Sequence, residues 1–266
     1  MTAVAKTKTD FPLLRSDAGG IATLTLNRPA QRNALARDLM SALEQELDAL
    51  ARDPSVRVVV IAANGPAFCA GHDLKEMRAN PGREFQEALF RQCSRLMLAI
   101  TRLPQPVIAR VHGPAFAAGC QLVATCDMAV TAASATFSTP GVHIGLFCST
   151  PMVALSRAVP RKAAMEMLLT GESVDAARAY EIGLVTRVVP ADALDQTIAG
   201  LARILLAKSP RVLKIGKEAF YRQIEMGLAD AYDYASQVAT ENMMLRDAGE
   251  GIDAFIAKRP PRWPDP

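Results

Sequence analysis

Two short segments of the chain have the composition of backbone anion-binding sites. The first, residues 68–74 (FCAGHDL), follows a β-branched run, and its small residues let the main chain pass close to a ligand. The second, residues 113–121 (GPAFAAGCQ), leads from a predicted strand into a predicted helix. N–H groups at a helix start point outward, and the helix dipole favours negative charge there. Because small residues at such turns also serve close packing, each segment taken alone leaves both interpretations open.

Side chains suited to acid–base or nucleophilic chemistry lie in and near these segments. His72 stands on the first segment and could either face a substrate or fix the loop by bonding a carbonyl. His143 stands farther along the chain, where strand alternation from Gly141 could turn it either way. Cys148 and Ser149 would be nucleophiles only beside a base that the sequence does not locate, so packing is the favoured interpretation for both.

The elements that must position these segments alternate between strand and helix. Apolar alternation or β-branched runs that end in turn residues predict strands, and apolar residues at helical spacing predict helices. The predicted strands cover 21–26, 56–63, 107–111 and 128–132, and the predicted helices cover 39–50, 85–102 and 121–125. The run over 56–63 is typical of a strand that is buried on both faces. The alternation predicts a parallel α/β core.

The character of the chain changes from residue 152 onward. Apolar residues at 194, 198, 201 and 205 share one helical face, and further helices are predicted over 212–226 and 228–245. Only 183–189 still has the pattern of a strand. We therefore predict a disordered lead over 1–15, an α/β core over 16–190 and a helical C-terminal region over 191–266.

The composition is that of an ordinary globular protein of 266 residues, half of them apolar, with a formal net charge of +3. Because basic and acidic residues are interspersed, we expect no nucleic-acid partner and no anionic membrane surface. Residues 1–10 lack the apolar stretch of a signal peptide, and no later run reaches membrane-span length without a charge or a turn residue. We therefore expect a cytosolic, that is cytoplasmic, location.

Cysteine and histidine spacing argues against disulfides and metal sites. The five cysteines include no Cys-x-x-Cys pair, so reduced, packed thiols are expected. The three histidines lie in separate segments, without a His-Glu-x-x-His motif or a nearby carboxylate cluster. We therefore expect no metal.

Taken together, the ordered motifs of the chain resemble the crotonase superfamily, also called the enoyl-CoA hydratase/isomerase family. The resemblance runs from about Ile21 to Trp263. The motifs that carry it are 27–29 (NRP), 32–35 (RNAL), 68–76 (FCAGHDLKE), 118–122 (AGCQL), 126–127 (CD), 137–140 (FSTP), 169–171 (LTG), 183–185 (GLV) and 250–259 (EGIDAFIAKR). So many motifs in family order and at family spacing make an accidental similarity improbable.

The resemblance implies an α/β spiral of strand–strand–helix repeats with a C-terminal helical region for trimerisation. It implies a homotrimer or a dimer of trimers. It further implies that the ligand is an acyl-CoA thioester, with coenzyme A as part of the substrate and no covalently bound cofactor.

The resemblance also assigns roles to individual residues. It implies an oxyanion hole formed by the backbone N–H groups of His72 and Ala118, where Ala118 replaces a usual glycine and could narrow the hole. One preorganised donor of this kind supplies roughly 3 to 4 kcal/mol of transition-state stabilisation. By the same resemblance, the residues that contact coenzyme A are Arg32, Ala34, Ala70, Asp73, Leu74, Lys75, Phe255 and Lys258, the last two across a subunit boundary. Phe255 could instead be core, and Lys258 merely solvated.

Two positions depart from the family pattern. Hydratases of the family place a glutamate where this chain has Gln121 and a second where it has Gly141. Neither residue can shuttle a proton, and positioned acid–base groups supply about 10² to 10⁴-fold each. Gln121 is then a neutral hydrogen-bond group that holds a water or an acyl substituent. Restoring both glutamates should raise hydration, unless Gly141 holds a backbone conformation that is open only to glycine.

The leading hypothesis is an acyl-CoA-binding enzyme that stabilises a thioester oxyanion and whose ordinary hydratase activity is weak or absent. The alternative belongs to another class: a non-catalytic acyl-CoA-binding or assembly protein of fatty acyl-CoA metabolism. A true hydratase with an unconventional base is a third, subordinate hypothesis. Turnover of any acyl-CoA separates the enzyme hypotheses from the binding protein.

Overall fold

The structure is a computed structural model that describes residues 11–264. The strands are β1 (Leu13–Ala18), β2 (Ile21–Leu26), β3 (Val58–Ala63), β4 (Val107–Val111), β5 (Ala115–Phe116), β6 (Met128–Ala132), β7 (Thr136–Ser138), β8 (Val174–Asp175) and β9 (Arg187–Val189). The α-helices are α1 (Arg37–Leu50), α2 (Leu74–Ala79), α3 (Arg83–Arg102), α4 (Ala118–Thr125), α5 (Ser149–Ala158), α6 (Arg161–Thr170), α7 (Ala176–Glu181), α8 (Leu194–Leu206), α9 (Pro210–Gln223), α10 (Leu228–Met243) and α11 (Arg246–Ile256). Short 3-10 helices cover Pro29–Gln31, Pro140–Ile144 and Ala191–Ala193.

The strands form two sheets. The larger sheet has six strands in the order β1-β2-β3-β4-β6-β9. Its β1 pairs antiparallel with β2, and the other four pairings are parallel. The smaller sheet has the order β5-β7-β8. The predicted α/β class with a parallel sheet is therefore confirmed.

The central strand β3 separates two apolar cores. Val59 and Ile61 point into the main core, which α1, α3 and α4 cover. Val58 and Val60 point to the opposite face and pack with Ile198 of α8. Successive side chains of a strand alternate between faces, and both faces of β3 are covered. This explains the continuous apolar run over 58–63 and confirms the predicted strand as buried on both faces, although it begins at Val58 and not at residue 56.

The chain begins its first strand earlier than the sequence predicts. Residues 1–10 of the predicted disordered lead lie outside the described part of the chain. The prediction is wrong for residues 13–15, because they belong to β1 and pair with β2, beginning with Leu13 opposite Leu26. The strands β7 and β8 escape prediction because two or three residues are too short to show a period. The strand that was expected over 183–189 is confined to Arg187–Val189.

The C-terminal part is helical, as predicted, and one buried ion pair anchors it to the core. Nζ of Lys217 on α9 donates to Oδ2 of Asp127 at 2.7 Å and to the carbonyls of Ile100 and Gln105 at 3.0 Å each. The hydroxyl of Tyr221 donates to the other carboxylate oxygen of Asp127 at 2.9 Å. Burial lowers the pKa of Lys217, although the charge of Asp127 opposes this effect. These bonds fix α9 as a wall beside α3.

The helices α9 and α10 otherwise bury no residue within the described chain. Within residues 11–264, no helix combines the length and the apolar character that crossing a membrane requires.

Candidate functional site

The two segments with anion-site composition lie side by side in the fold. Cys69 and Ala115 form a parallel bridge. The N–H of Cys69 donates to the carbonyl of Pro114 at 3.2 Å, and the N–H of Phe116 donates to the carbonyl of Cys69 at 2.9 Å. The structure therefore brings together segments that are separated by α2, α3 and β4 along the chain.

Two glycines permit this close approach. Gly71 has φ +101°, and a Cβ built on it would lie 2.9 Å from Cβ of Ala117 and 3.5 Å from N of Ala118. A Cβ on Gly119 would overlap the carbonyl oxygen of Cys69. A side chain at either position would force the segments apart, because contacts of this length are closer than packed atoms allow. The first turn of α4 thus rests directly on the main chain of the first segment.

The N–H groups of His72 and Ala118 have no backbone acceptor among the described residues. The bridge beside His72 uses its neighbours instead: Leu35 donates to the carbonyl of Gly71 at 2.7 Å, and Asp73 donates to the carbonyl of Leu35 at 3.4 Å. Ala118 is the first residue of α4, where no intrahelical acceptor exists. The backbone of the described chain therefore satisfies neither donor.

Ala117 sets the direction of the first turn of α4. Its φ of 49° and ψ of −117° are unusual for a residue with a side chain, and its N–H donates to the carbonyl of Ser138 at 2.9 Å. A strained residue of this kind persists only where its surroundings hold it, and such residues cluster at functional sites.

The residues predicted to contact coenzyme A fall into two groups. Arg32 and Ala34 lie beside the first segment, since the carbonyl of Arg32 accepts from the N–H of Ala70 at 3.0 Å. Leu74 and Lys75 begin α2 and are exposed.

Asp73 has a structural role in this first group. Its carboxylate accepts from the N–H groups of Lys75 and Glu76 at 3.1 and 3.2 Å, so it caps α2. The guanidinium of Arg28 pairs with it at 3.2 Å. Its carboxylate is thus already bonded to the protein.

The second group lies at the end of α11. Phe255 is 85% exposed, so the alternative that it belongs to the core does not hold within the described chain. Lys258 follows in the left-handed conformation, with φ 51°, and is exposed as well. The structure does not bring these two residues together with the first group in one chain; their contact with coenzyme A across a subunit boundary stays a prediction.

Gln121 lies in the wall of a cavity of about 1000 Å³ between α3, α4, α5 and α9. The side chain is 4% exposed, and its Oε1 accepts from Sγ of Cys93 at 3.7 Å. The other lining residues are Ala51, Ser94, Met97, Leu98, Thr101, Arg102, Leu103, Pro104, Ala124, Thr125, Thr150, Val153, Ala154, Arg157, Lys214, Glu218, Tyr221, Arg222 and Glu225. No sequence pattern predicts the contact with Cys93, because the two residues lie on different helices.

Gly141 leaves no room for a side chain. It is buried in the 3-10 helix Pro140–Ile144, and a Cβ on it would lie 2.5 Å from the carbonyl oxygen of Leu146 and 2.9 Å from Sγ of Cys148. Its φ is not in the left-handed region. The reservation that Gly141 needs a conformation open only to glycine is therefore wrong in its cause, since the obstacle is steric.

His72 is a neutral, packed imidazole. Its Nε2 is buried without a hydrogen-bond partner among the described residues, so this nitrogen does not fix the loop by bonding a carbonyl. The ring meets the edge of Phe90 at a centroid distance of 5.5 Å. Burial lowers the pKa of His72 to about 4. Because the imidazolium form is disfavoured here, His72 has no imidazolium proton to donate at neutral pH.

The candidates farther along the chain lie in the 3-10 helix Pro140–Ile144 or at the start of α5. The expectation of strand alternation at His143 is wrong, because the residue lies in a 3-10 helix. Its exposed ring rests on Gly171, where a Cβ would lie 2.7 Å from Nε2. Burial raises the pKa of Cys148, so its thiol is a weak nucleophile. The hydroxyl of Ser149 donates to the carbonyl of Phe147 at 3.3 Å.

The described part of the chain contains no cluster of potential metal ligands. No group of three or more His, Cys, Asp or Glu side chains there is placed to hold an ion.

The fold and the paired loops define an α/β protein of the crotonase type. A sequence model described as enoyl-CoA hydratase/isomerase matches residues 16–266. The chain therefore belongs to the enoyl-CoA hydratase/isomerase family.

Within this family, the chain is similar to enoyl-CoA hydratase domain-containing protein 3. The protein of that name from Homo sapiens is 46% identical over 244 residues, which cover 92% of this chain and 80% of the relative. The one from Xenopus laevis is 47% identical over 244 residues, covering 92% and 83%. A crystal structure of an enoyl-CoA hydratase from Mycobacterium smegmatis superimposes with a TM-score of 0.93 and 55% identity, covering 95% of this chain and 98% of that chain.

The same comparison contradicts the expected cytosolic location. The relatives from Homo sapiens and Xenopus laevis are named as mitochondrial proteins. The lack of a secretory-type apolar stretch was weak evidence for the cytosol, because organelle targeting uses segments of a different composition.

Proposed function

We propose that this chain binds an acyl-CoA thioester and holds the thioester oxygen between the backbone N–H groups of His72 and Ala118. The observation that carries the proposal is that two main-chain N–H groups without a backbone acceptor in the described chain lie on loops that Gly71 and Gly119 allow to touch. Donors fixed in this way stabilise charge that develops on a carbonyl oxygen, and they need no side chain. The family to which the chain belongs supports the choice of thioester.

The acyl group is proposed to extend into the cavity beside Gln121. Met97 and Leu98 of α3 and Val153 of α5 contribute apolar surface to its wall. A cavity of about 1000 Å³ lies at the upper end of the range for small-molecule sites. The charged side chains of Arg157 and Glu225, which pair at 2.7 Å, belong to the same wall.

The proposed activity excludes efficient hydration of a simple enoyl thioester. Hydration needs a base for water and an acid for the α-carbon. Gln121 has no titratable group, and Gly141 has no side chain. His72 does not supply the missing acid, because its lowered pKa of about 4 leaves the imidazole uncharged at neutral pH. We therefore propose an acyl-CoA-binding enzyme whose hydratase activity is weak or absent.

One observation favours the second candidate, a non-catalytic acyl-CoA-binding or assembly protein. Cys93 contacts Gln121 and Cys148 lies beside Gly141, and burial raises the pKa of both thiols. Groups that stay protonated at neutral pH neither accept a proton nor attack a thioester.

The C-terminal region 191–266 is proposed to build a homotrimer or a dimer of trimers. On α10 and beyond it, Leu228 is 77% exposed and Met244 is 81% exposed, although both are large apolar residues. Large apolar side chains left exposed on one helical region are typical of an interface. Assembly would also bring Phe255 and Lys258 to the coenzyme A of a neighbouring subunit, where an aromatic face stacks on adenine and an ammonium group meets phosphate.

Calorimetric titration with three matched ligands tests the proposed binding mode. Butyryl-CoA carries the thioester carbonyl, S-butyl-CoA replaces it with a methylene group, and coenzyme A lacks the acyl chain. Butyryl-CoA should bind on the order of tenfold more tightly than S-butyl-CoA, since only the former uses the two N–H donors. Equal affinity for these two ligands would exclude the oxyanion role of His72 and Ala118.

Product release across a panel of acyl-CoA thioesters then separates the two candidate functions. Turnover of any member supports the enzyme. Tight binding of the panel without turnover supports the binding protein.

A further inference from the structure

The thiol of Cys93 donates a hydrogen bond to the side-chain amide of Gln121. Sγ of Cys93, on α3, lies 3.7 Å from Oε1 of Gln121, on α4, and both residues are buried. Burial raises the pKa of the Cys93 thiol to about 12, so the sulfur keeps its proton at neutral pH. A protonated thiol is a hydrogen-bond donor, and an amide can accept its hydrogen bond only through the amide oxygen.

The opposite end of the same amide faces the cavity. Nε2 of Gln121 donates to no group of the described chain, and it is not among the fully buried unpaired atoms. Its remaining solvent contact is in the cavity that Gln121 lines. A flipped amide would put two N–H donors against the S–H donor of Cys93 and is therefore disfavoured.

In this orientation residue 121 presents hydrogen-bond donors to the cavity, where a glutamate would present acceptors. A carboxylate on the same helix turn offers only acceptors to the cavity, and it suits a water molecule or a hydroxyl that donates to it. Gln121 instead offers two N–H donors. These N–H donors bind most favourably to a ligand oxygen that only accepts hydrogen bonds. A ligand without such an oxygen would leave the donors buried and unpaired, which costs free energy.

We infer that Gln121, positioned by Cys93, selects acyl thioesters that carry an acceptor oxygen on the acyl chain, such as a 3-oxoacyl group, over unsubstituted or enoyl chains. The inference rests on the proposed function, since it takes the thioester to be held at His72 and Ala118 beside α4. It adds the substrate class: an oxygenated acyl group recognised by a hydrogen bond from the amide.

The test is the ratio of two affinities measured by calorimetry, that of 3-oxobutyryl-CoA to that of butyryl-CoA. In the wild type, 3-oxobutyryl-CoA should bind on the order of tenfold more tightly, which is the effect of one buried hydrogen bond. Gln121→Met, which keeps the length but not the donors, should bring the ratio near unity. Gln121→Glu should reverse it, because a carboxylate repels the 3-oxo oxygen.

Variants of Cys93 separate positioning from general stability. Cys93→Ala removes the thiol donor and lets the amide turn, so the ratio should fall. Cys93→Ser restores a donor and should restore the ratio, an outcome that loss of packing would not produce. The matched control is Cys126→Ala: it also removes a buried thiol, but this thiol donates to the carbonyl of Leu122 at 3.2 Å and does not line the cavity, so the ratio should stay at the wild-type value.

The outcomes distinguish this inference from the proposed function. If butyryl-CoA and 3-oxobutyryl-CoA bind the wild type equally well, the selectivity is overturned while acyl-CoA binding stands. If Gln121→Met keeps the wild-type preference, another group makes the bond and the assignment to Gln121 is wrong. If neither thioester nor coenzyme A binds, both the proposed function and this inference are wrong.

Discussion

Gly119 and Cys69 touch main chain to main chain, and the first turn of α4 has no space for a methyl group at this point. A Cβ on Gly119 would overlap the carbonyl oxygen of Cys69 and crowd its Cβ at 2.8 Å. The same carbonyl accepts the N–H of Phe116, so it is not free to move away. The contact sets the distance between the two loops that present His72 and Ala118.

Gly119→Ala should therefore damage both stability and ligand binding. Overpacking against a fixed backbone costs about 1 to 3 kcal/mol of the free energy of unfolding. Urea unfolding checks the stability, and titration with butyryl-CoA checks the binding. Gly200→Ala on α8 is the matched control, because a Cβ there meets nothing within 4 Å. It should be neutral or stabilise the helix by about 0.5 to 1 kcal/mol. An equal, small effect of both changes would contradict the role of Gly119.

Burial of His72 predicts a pH-dependent stability. Its pKa is lowered from 6.5 to about 4 in the folded chain, so between these values the unfolded chain binds a proton that the folded chain does not. The free energy of unfolding should then decrease as the pH falls from about 6.5 towards 4, by at most roughly 3 kcal/mol from this group.

The measurement is the urea unfolding free energy at several pH values between 4.5 and 7. His72→Gln should flatten the decrease, because the residue that titrates only in the unfolded chain is gone. His143→Gln, which removes an exposed imidazole, should retain it. Identical slopes for the wild type and His72→Gln would mean that His72 is not shielded from water.

The sequence predicted the elements whose core-facing residues recur at a regular spacing. It missed the contacts that produce no such spacing. Leucines at helical spacing predicted α1, and the apolar run at 56–63 predicted β3, because core-facing residues repeat along an element. The steric obstacle at Gly141 left no such trace, since it depends on the carbonyl of Leu146 folding back over the 3-10 helix. The family resemblance located Gln121, but only the fold shows that a thiol from α3 orients its amide.

The exposed apolar surface of α10 predicts self-association. Light scattering at micromolar concentration should give the mass of a trimer or twice that mass. Leu228→Lys combined with Tyr232→Lys should shift the mass towards a monomer, because both side chains are exposed in the single chain and charges are costly in a buried interface. The control is Leu169→Lys on α6, a leucine that is 59% exposed outside the C-terminal helices. A monomeric wild type would contradict the assembly and remove the basis for a coenzyme A site shared between subunits.

The proposed loss of hydratase chemistry makes a quantitative prediction for crotonyl-CoA. The wild type should bind this thioester yet hydrate it at a rate lower than that of a family hydratase by roughly 10² to 10⁴-fold for each missing carboxylate. Gln121→Glu should fold, because glutamate has the shape of glutamine, and should raise hydration slightly. Gly141→Glu should not rescue activity, since its Cβ would lie 2.5 Å from the carbonyl oxygen of Leu146. The double change should therefore do no better than Gln121→Glu, which reverses the expectation from sequence that both carboxylates together restore activity.

The assay is loss of the enoyl absorbance of crotonyl-CoA, with circular dichroism to confirm folding of each variant. Rapid hydration by the wild type would show that another group serves as the base, and strong rescue by Gly141→Glu would show that the segment after Pro140 can open.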